Sequence, residues 1–442
     1  MKFLKLAVAA AVAFASANAY AFHGGGVAAC ESCHVMHNAV GGTAKSTHAA
    51  DATFGMNAAV PGSFSGTTAP YLLQGSDQSS TCLMCHAKGI GGYHVADLSA
   101  TAQAAGGNPG NYSPGGDFGY LKKVYGTTNM NRFGHNIVAA DFNLGADANL
   151  TVAPGGSFQV KSGIQGLGCQ SCHDPHGRFR IQANPVTAIT APLTSWNTFT
   201  AGKILPISAS GSYGALPTAT TAVGVYRILG GNGYAIRSNA FTFTADPPIA
   251  VAPSTYNQNE STNEVRVAYG SGMSEWCANC HGGIHNDSYP TTLRHPAGNG
   301  AKLTATIASI YNAYLSSGDL SATGGSAYTS LVPFETGSND LAALLGAASN
   351  LKPLGTLETG TSILQASTSA NVACISCHRV HGSGFSSIGR WNFAAQYVAS
   401  TTMALSYGRT AAEEVNALYG RNLGSGVQPY QRNMCNKCHA KV

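Results

Sequence analysis

Twelve cysteines fall into six C-x-x-C pairs, and each pair is followed at once by histidine: CESCH at 30–34, CLMCH at 82–86, CQSCH at 169–173, CANCH at 277–281, CISCH at 374–378 and CNKCH at 435–439. Two thiols separated by two residues can each add across one vinyl group of a haem, and the adjacent imidazole then meets the iron. The expected thioether positions are therefore Cys30 and Cys33, Cys82 and Cys85, Cys169 and Cys172, Cys277 and Cys280, Cys374 and Cys377, and Cys435 and Cys438. The proximal axial ligands are His34, His86, His173, His281, His378 and His439. The cofactor expectation is six covalently attached haem c groups, each with one iron. Three Cys₄ zinc sites or six short disulfides would use the same cysteines but would not explain the recurrent next-residue histidine.

Each iron needs a second axial ligand or stays open. Beyond the motifs the chain holds His23, His37, His48, His94, His135, His176, His285, His295 and His381. Six distal positions can thus all be histidine. Methionine is the weaker candidate, because Met1 leaves with the leader and Met84 lies between the cysteines of its own motif. His37, His176 and His381 repeat the pattern C-x-x-C-H-x-x-H, and His285 follows its motif by four residues. Those spacings put both imidazoles on one face of a helical turn. Two axial ligands must approach one iron from opposite faces, so these histidines are expected to serve haems other than their own. His94 and His135 have glycine nearby in sequence, which suits close approach of backbone to a flat ring. His295 precedes proline and belongs to an extended or turn segment. His23 needs ordering by a bond such as iron ligation, and His48 has the least support.

The elements that must position these groups are sparse. Gly occupies 54 positions, charged residues make up 10% and the apolar 44% is carried largely by Ala, so the chain is poor in ordinary core builders. Stretches such as GGNPGNYSPGGDFG at 106–119 predict turns and irregular chain. Motif starts lie 52, 87, 108, 97 and 61 residues apart, without the fixed period of a tandem array. Helices are expected over about 302–316, from Leu303, Ile307, Ile310 and Tyr314, and over about 411–419, where Thr410 and Glu413 form a capping box. A β-hairpin is expected over 223–243 around Gly230 to Gly233. The fold class is a multihaem c-type cytochrome, mostly irregular coil and short helices with a minor β-hairpin, organised around a continuous chain of haems.

Residues 1–21 read as a secretory signal: Lys2 and Lys5, an apolar run, then Ala19-Tyr20-Ala21. The remaining 22–442 is expected to form a single hexahaem domain. No later run reaches the roughly 18 apolar residues of a membrane span. The formal charge of +5 does not indicate nucleic-acid binding, since twelve haem propionates reverse its sign. Arg and Lys are expected to partner those propionates.

Taken together, FHGGGVAACESCHVMHN, LLQGSDQSSTCLMCH, PGGDFGYLKKVYG, GHNIVAADFN, CQSCHDPHG, YRILGGNGY, VAPSTYNQNE, RVAYGSGMSEWCANCH, LRHPAGNGAK and PYQRNMCNKCHAK resemble the hexahaem outer-surface c-type cytochromes of the OmcS type. The resemblance implies a bis-histidine cytochrome secreted through the periplasm to the outer surface or extracellular space. It implies a homopolymeric filament with an unbroken line of haems, in which His37 ligates a haem of the adjacent subunit. Implied partners are other redox proteins, extracellular metal oxides and partner cells, with no nucleic acid.

Three functions follow from six haems: an extracellular electron conduit, a reductase of a small oxyanion with one open iron, or a monomeric periplasmic carrier. The excess of spare histidines favours closed irons and electron transfer without a bound substrate. The ferric protein should show six low-spin haems whose spectrum cyanide leaves unchanged, and carbon monoxide should leave the spectrum of the ferrous protein unchanged. A shift at one haem would favour the reductase.

Overall fold

The computed structural model describes residues 33–34, 39–40, 43–44, 73–87, 94–109, 115–125, 128, 130–160, 166–175, 229–236, 241–248, 250–251, 268–285, 295–317, 334–338, 343–344, 366–398, 405–418, 433 and 435–439. The signal segment 1–21, His23, Cys30, His37, His48 and His176 lie outside them. Regular elements are short, as the composition requires. Helices α1 (Gln78–His86), α2 (Met273–His281) and α6 (Cys435–Cys438) carry the second, fourth and sixth motifs. Single turns, Cys169–Ser171 and α4 (Cys374–Cys377), carry the third and fifth. Among the described residues the strands form three two-residue antiparallel pairs: β1 (Ala39–Val40) with β2 (Thr43–Ala44), β3 (Ala235–Ile236) with β4 (Phe241–Thr242), and β5 (Ala250–Val251) with β6 (Ala268–Tyr269).

The expected helices form. α3 spans Ala305–Ser317, and its anchor is Tyr311 at 0% exposure, between Ala308 and the half-buried Tyr314. α5 spans Ala411–Ala417 and starts with the capping box: Thr410 Oγ1 accepts from Glu413 N–H, and the Glu413 carboxylate accepts from Thr410 N–H at 3.0 Å. The hairpin is displaced. Gly230 to Gly233 make a tight turn that brings the Tyr234 ring over Gly230, and the strands pair only after it.

Apolar side chains form several clusters rather than one core. Phe158, Phe243, Tyr234 and Trp276 gather beside Cys172, Cys277 and Cys280. Tyr311, Phe334, Phe385 and Trp391 gather beside Cys377 and Cys438. Leu83, Phe118, Ile137 and Phe142 gather beside Cys169. Each cluster thus surrounds the attachment points of a prosthetic group.

Two buried cations are paired within the protein. Lys123 donates to the carbonyls of Ala104 (2.6 Å) and Gly107 and sits 3.7 Å from Glu413. Arg409 pairs with Glu414 at 3.3 Å and stacks over Tyr125, 4.2 Å from its centroid. Both tie the α5 region to the segment 104–125. Thr410→Ala removes the cap and should lower stability by about 1 kcal/mol in thermal or denaturant unfolding.

Candidate haem sites

The two kinds of motif are built differently. The second and fourth motifs end helices whose N-termini are capped by buried acids. Asp77 Oδ1 accepts from Ser80 N–H at 2.7 Å ahead of α1. α2 begins at Gly272, whose φ of 128° suits glycine alone, and its first amides are held by Glu335, which accepts from Gly272 N–H (3.2 Å), Met273 N–H (2.9 Å) and Asn371 Nδ2 (2.6 Å).

The first, third and fifth motifs share another construction. Their histidines form isolated antiparallel bridges, His34 with Leu73, His173 with Leu229 and His378 with Gly389. In each, the following residue donates to the carbonyl of the second cysteine: Gln74 to Cys33 (2.9 Å), Gly230 to Cys172 (2.8 Å) and Arg390 to Cys377 (2.9 Å). The serine of the third and fifth motifs locks the turn: Ser171 Oγ accepts from Gly168 N–H and Ser376 Oγ from Ala373 N–H, each at 3.0 Å. Irregular spacing hides this alternation in the sequence. Its visible trace is Ser32, Ser171 and Ser376 at the second x of CESCH, CQSCH and CISCH, the three motifs followed by H-x-x-H.

One expectation needs correcting here. The C-H-x-x-H spacing does not form a helical turn in the fifth motif: α4 stops at Cys377, and His378 is extended, with φ −110° and ψ 151°. His381 nevertheless faces the third motif and not its own. The His173 and His381 rings lie 6.4 Å apart between centroids, His135 and His281 6.1 Å, and His295 and His439 6.1 Å. A metal–imidazole bond is about 2 Å, so rings on opposite faces of one iron hold their centroids roughly 6 Å apart. The three pairs fit an iron between them.

Backbone carbonyls set the imidazoles. Nδ1 lies 2.5 Å from Val380 O in His135, 2.8 Å from Pro154 O in His281, 2.8 Å from Pro296 O in His295 and 2.7 Å from Ser387 O in His378. A carbonyl only accepts, so Nδ1 carries the proton and Nε2 keeps the lone pair a metal needs. Burial holds His135 and His378 below the usual imidazole range and takes His381 down to about 3, so these rings stay neutral. The carbonyl facing His378 is strained into place: Ser387 and Ile388 have φ of 60° and 54°, uncommon for any non-glycine residue and most costly for β-branched isoleucine. Around His281 the loop 153–156 packs so tightly that a Cβ at Gly156 would lie 1.6 Å from Cys280 O.

The remaining candidates separate. Among the described residues the ring beside His378 is Phe393, edge-on at 5.3 Å, and no histidine ring faces it. His285 turns Nε2 toward Glu275, 3.8 Å away. His94 lies next to Val95, whose N–H donates to His86 O at 2.9 Å.

The cysteines run in motif order. All described ones are free thiols. Cys82 is a neighbour of Cys33 and hydrogen-bonds with Cys169; Cys172 neighbours Cys280; Cys277 hydrogen-bonds with Cys374; Cys377 neighbours Cys435 and Cys438. Prosthetic groups attached at these positions would follow one another in chain order. Sequence alone does not reveal that order.

Comparison with known proteins agrees with this geometry. No family model matches the chain. The chain is 46% identical over 466 residues to the C-type cytochrome OmcS of Geobacter sulfurreducens, covering 99% of this chain and 98% of that protein. A cryo-EM structure of the OmcS nanowires from that organism matches with a TM-score of 0.72 at 44% identity, covering 95% of this chain and all of the other. A structure of the outer-membrane cytochrome S filament matches with a TM-score of 0.71 at 45% identity and the same coverage.

Glu335 offers a pH test of the α2 cap. It is 0% exposed, and burial raises its carboxyl from 4.5 to about 7 against the three donated hydrogen bonds, with Glu275 adding to the rise. The folded chain therefore holds this proton more tightly than the unfolded one. Stability should fall by roughly 3 kcal/mol as pH rises from the unfolded value to the folded one. Unfolding of the holoprotein across this range should show that slope, and Glu335→Gln should remove it.

Proposed function

The chain belongs to the OmcS-type c-type cytochromes, and we propose that it carries electrons outside the cell along six closely packed bis-histidine haems, as a filament of identical subunits. It is an electron-transfer protein rather than an enzyme, secreted through the periplasm and delivering electrons to other redox proteins or extracellular metal oxides. The observation that carries this reading is the unbroken succession of motif cysteines, with histidine pairs at iron-spanning separation beside it. The haem supplies a one-electron iron centre. Residues 22–442 form one haem-organised domain after a signal segment of 1–21, since no break interrupts the cysteine succession.

The distal ligands follow a step of two motifs. His381 in the fifth motif serves the iron of His173 in the third, and by the same step His176 in the third serves that of His34 in the first. His135, after the second motif, serves His281 in the fourth; His295, after the fourth, serves His439 in the sixth. His23, ahead of the first motif, then serves His86 in the second. His94 and His285 fall outside the set.

The same step takes His37 beyond its own chain. Its target is the haem of the fifth motif in an adjacent subunit, where His378 faces no histidine among the described residues. This supports a homopolymer joined by iron bonds, and six closed irons leave no site for an oxyanion substrate. His37→Ala should abolish filaments in electron micrographs and leave one high-spin haem in the monomer. Normal filaments from this variant would defeat the assignment, and a wild-type chain that stays monomeric at high concentration would favour the soluble carrier.

A further inference from the structure

Ser79 and Ser274 hold the same place in two helices, three residues before the first cysteine of α1 and of α2. Both are buried, at 1% and 0% exposure. Ser79 Oγ accepts from Cys169 N–H at 3.1 Å, and Ser274 Oγ accepts from Cys374 N–H at 3.0 Å. The donor in each case is the first cysteine of the next motif. Beside each bond the cysteines themselves meet, Cys82 with Cys169 and Cys277 with Cys374. One hydroxyl therefore ties the helix holding one haem to the turn holding its neighbour, and the arrangement occurs twice.

We infer that Ser79 and Ser274 are positioning residues that set the separation and overlap of neighbouring haems, those of the second and third motifs and those of the fourth and fifth. The inference rests on the haem reading above. A thioether leaves a haem little freedom relative to its cysteine backbone, so the position of one ring relative to the next follows the relative position of the two attachment turns. The serine bond acts on the backbone nitrogen of one attaching cysteine, one helical turn from the attaching cysteine of the other. Such a bond fixes a distance where packing of short turns alone would leave play, and electron hopping depends steeply on that distance. Alanine removes the oxygen and strands a part-buried N–H, so the two turns lose their shared reference point.

The third helix motif provides an internal contrast. Three residues before Cys435 stands Arg432, which has no hydroxyl. The haem of the sixth motif has no serine tie of this kind, so its approach to a further haem must be set by other contacts. The two ties join the second motif to the third and the fourth to the fifth, both within the chain.

The test uses the full-length holoprotein. Ser79→Ala, Ser274→Ala and the double variant should keep six low-spin haems and should still form filaments. Each single variant should lose part of the exciton couplet that stacked haems give in Soret-region circular dichroism, the double variant should lose more, and electron flow along the filaments should fall in the same order. Alanine variants with six low-spin haems and an unchanged couplet would overturn the inference. In the unaltered holoprotein, the Cys169 and Cys374 amides should resist hydrogen exchange as interior amides do. Rapid exchange at both would overturn it without any variant having to fold. High-spin haem or a haem count below six in the unaltered protein would instead strike at the haem reading.

Discussion

The structure depends on one constraint: histidines from segments far apart in sequence face each other across a gap that fits one iron. His173 meets His381, His135 meets His281 and His295 meets His439 at separations that fit one metal between two rings. Each proposed ligation links segments far apart in sequence, and the haem it passes through would supply the flat apolar body that the side chains do not. This explains how a chain with 54 glycines and two-residue strands can hold a defined shape. Apolar side chains need only line each haem, and the clusters around Trp276, Trp391 and Phe142 do so beside the attaching cysteines.

Polar groups fix what the apolar shell leaves loose. Backbone carbonyls at Val380, Pro154, Pro296 and Ser387 choose the tautomer of four imidazoles, and only the tautomer with its proton on Nδ1 presents Nε2 to a metal. Buried acids close the exposed amides at the start of the attachment helices. The Ser387–Ile388 pair shows that this orientation has an energetic cost, since consecutive left-handed residues are held there by what surrounds them.

Local chemistry was legible in the sequence and long-range pairing was not. The twelve cysteines, the six adjacent histidines, the α3 helix and the Thr410–Glu413 box are local patterns, each specified within a few residues. The spacing also pointed His381 away from its own motif, and its ring lies beside His173, although the helical turn invoked for it gives way to an extended His378. Which motif His381 faces could not be read, because that depends on how connections of unequal length bring motifs together. The Glu335 cap and the Ser274 bond join residues from different motifs for the same reason. The alternation of two motif types left a faint trace in three serines, whereas the connection lengths pointed away from any repeat. The hairpin was misplaced because glycine density marks a turn without saying which of two successive turns closes the strands.

The alternation bears on assembly. In the proposed ligation the odd motifs form a series in which each histidine serves the motif two earlier, and a finite series must run out at both ends. At one end His37 has no earlier haem in its own chain to serve; at the other, the fifth motif has no seventh to supply its histidine. The first and fifth motifs share the bridge, the backbone bond and the C-H-x-x-H spacing. A surface that donates at one end and accepts at the other is heterologous, and copies joined through it add head to tail. A closed dimer would need donor and acceptor on one self-complementary patch, which opposite ends of a line cannot provide. On the proposed scheme polymerisation would continue across subunits the ligation rule assigned within each one, and an electron crossing the junction would meet the same kind of iron site that it left.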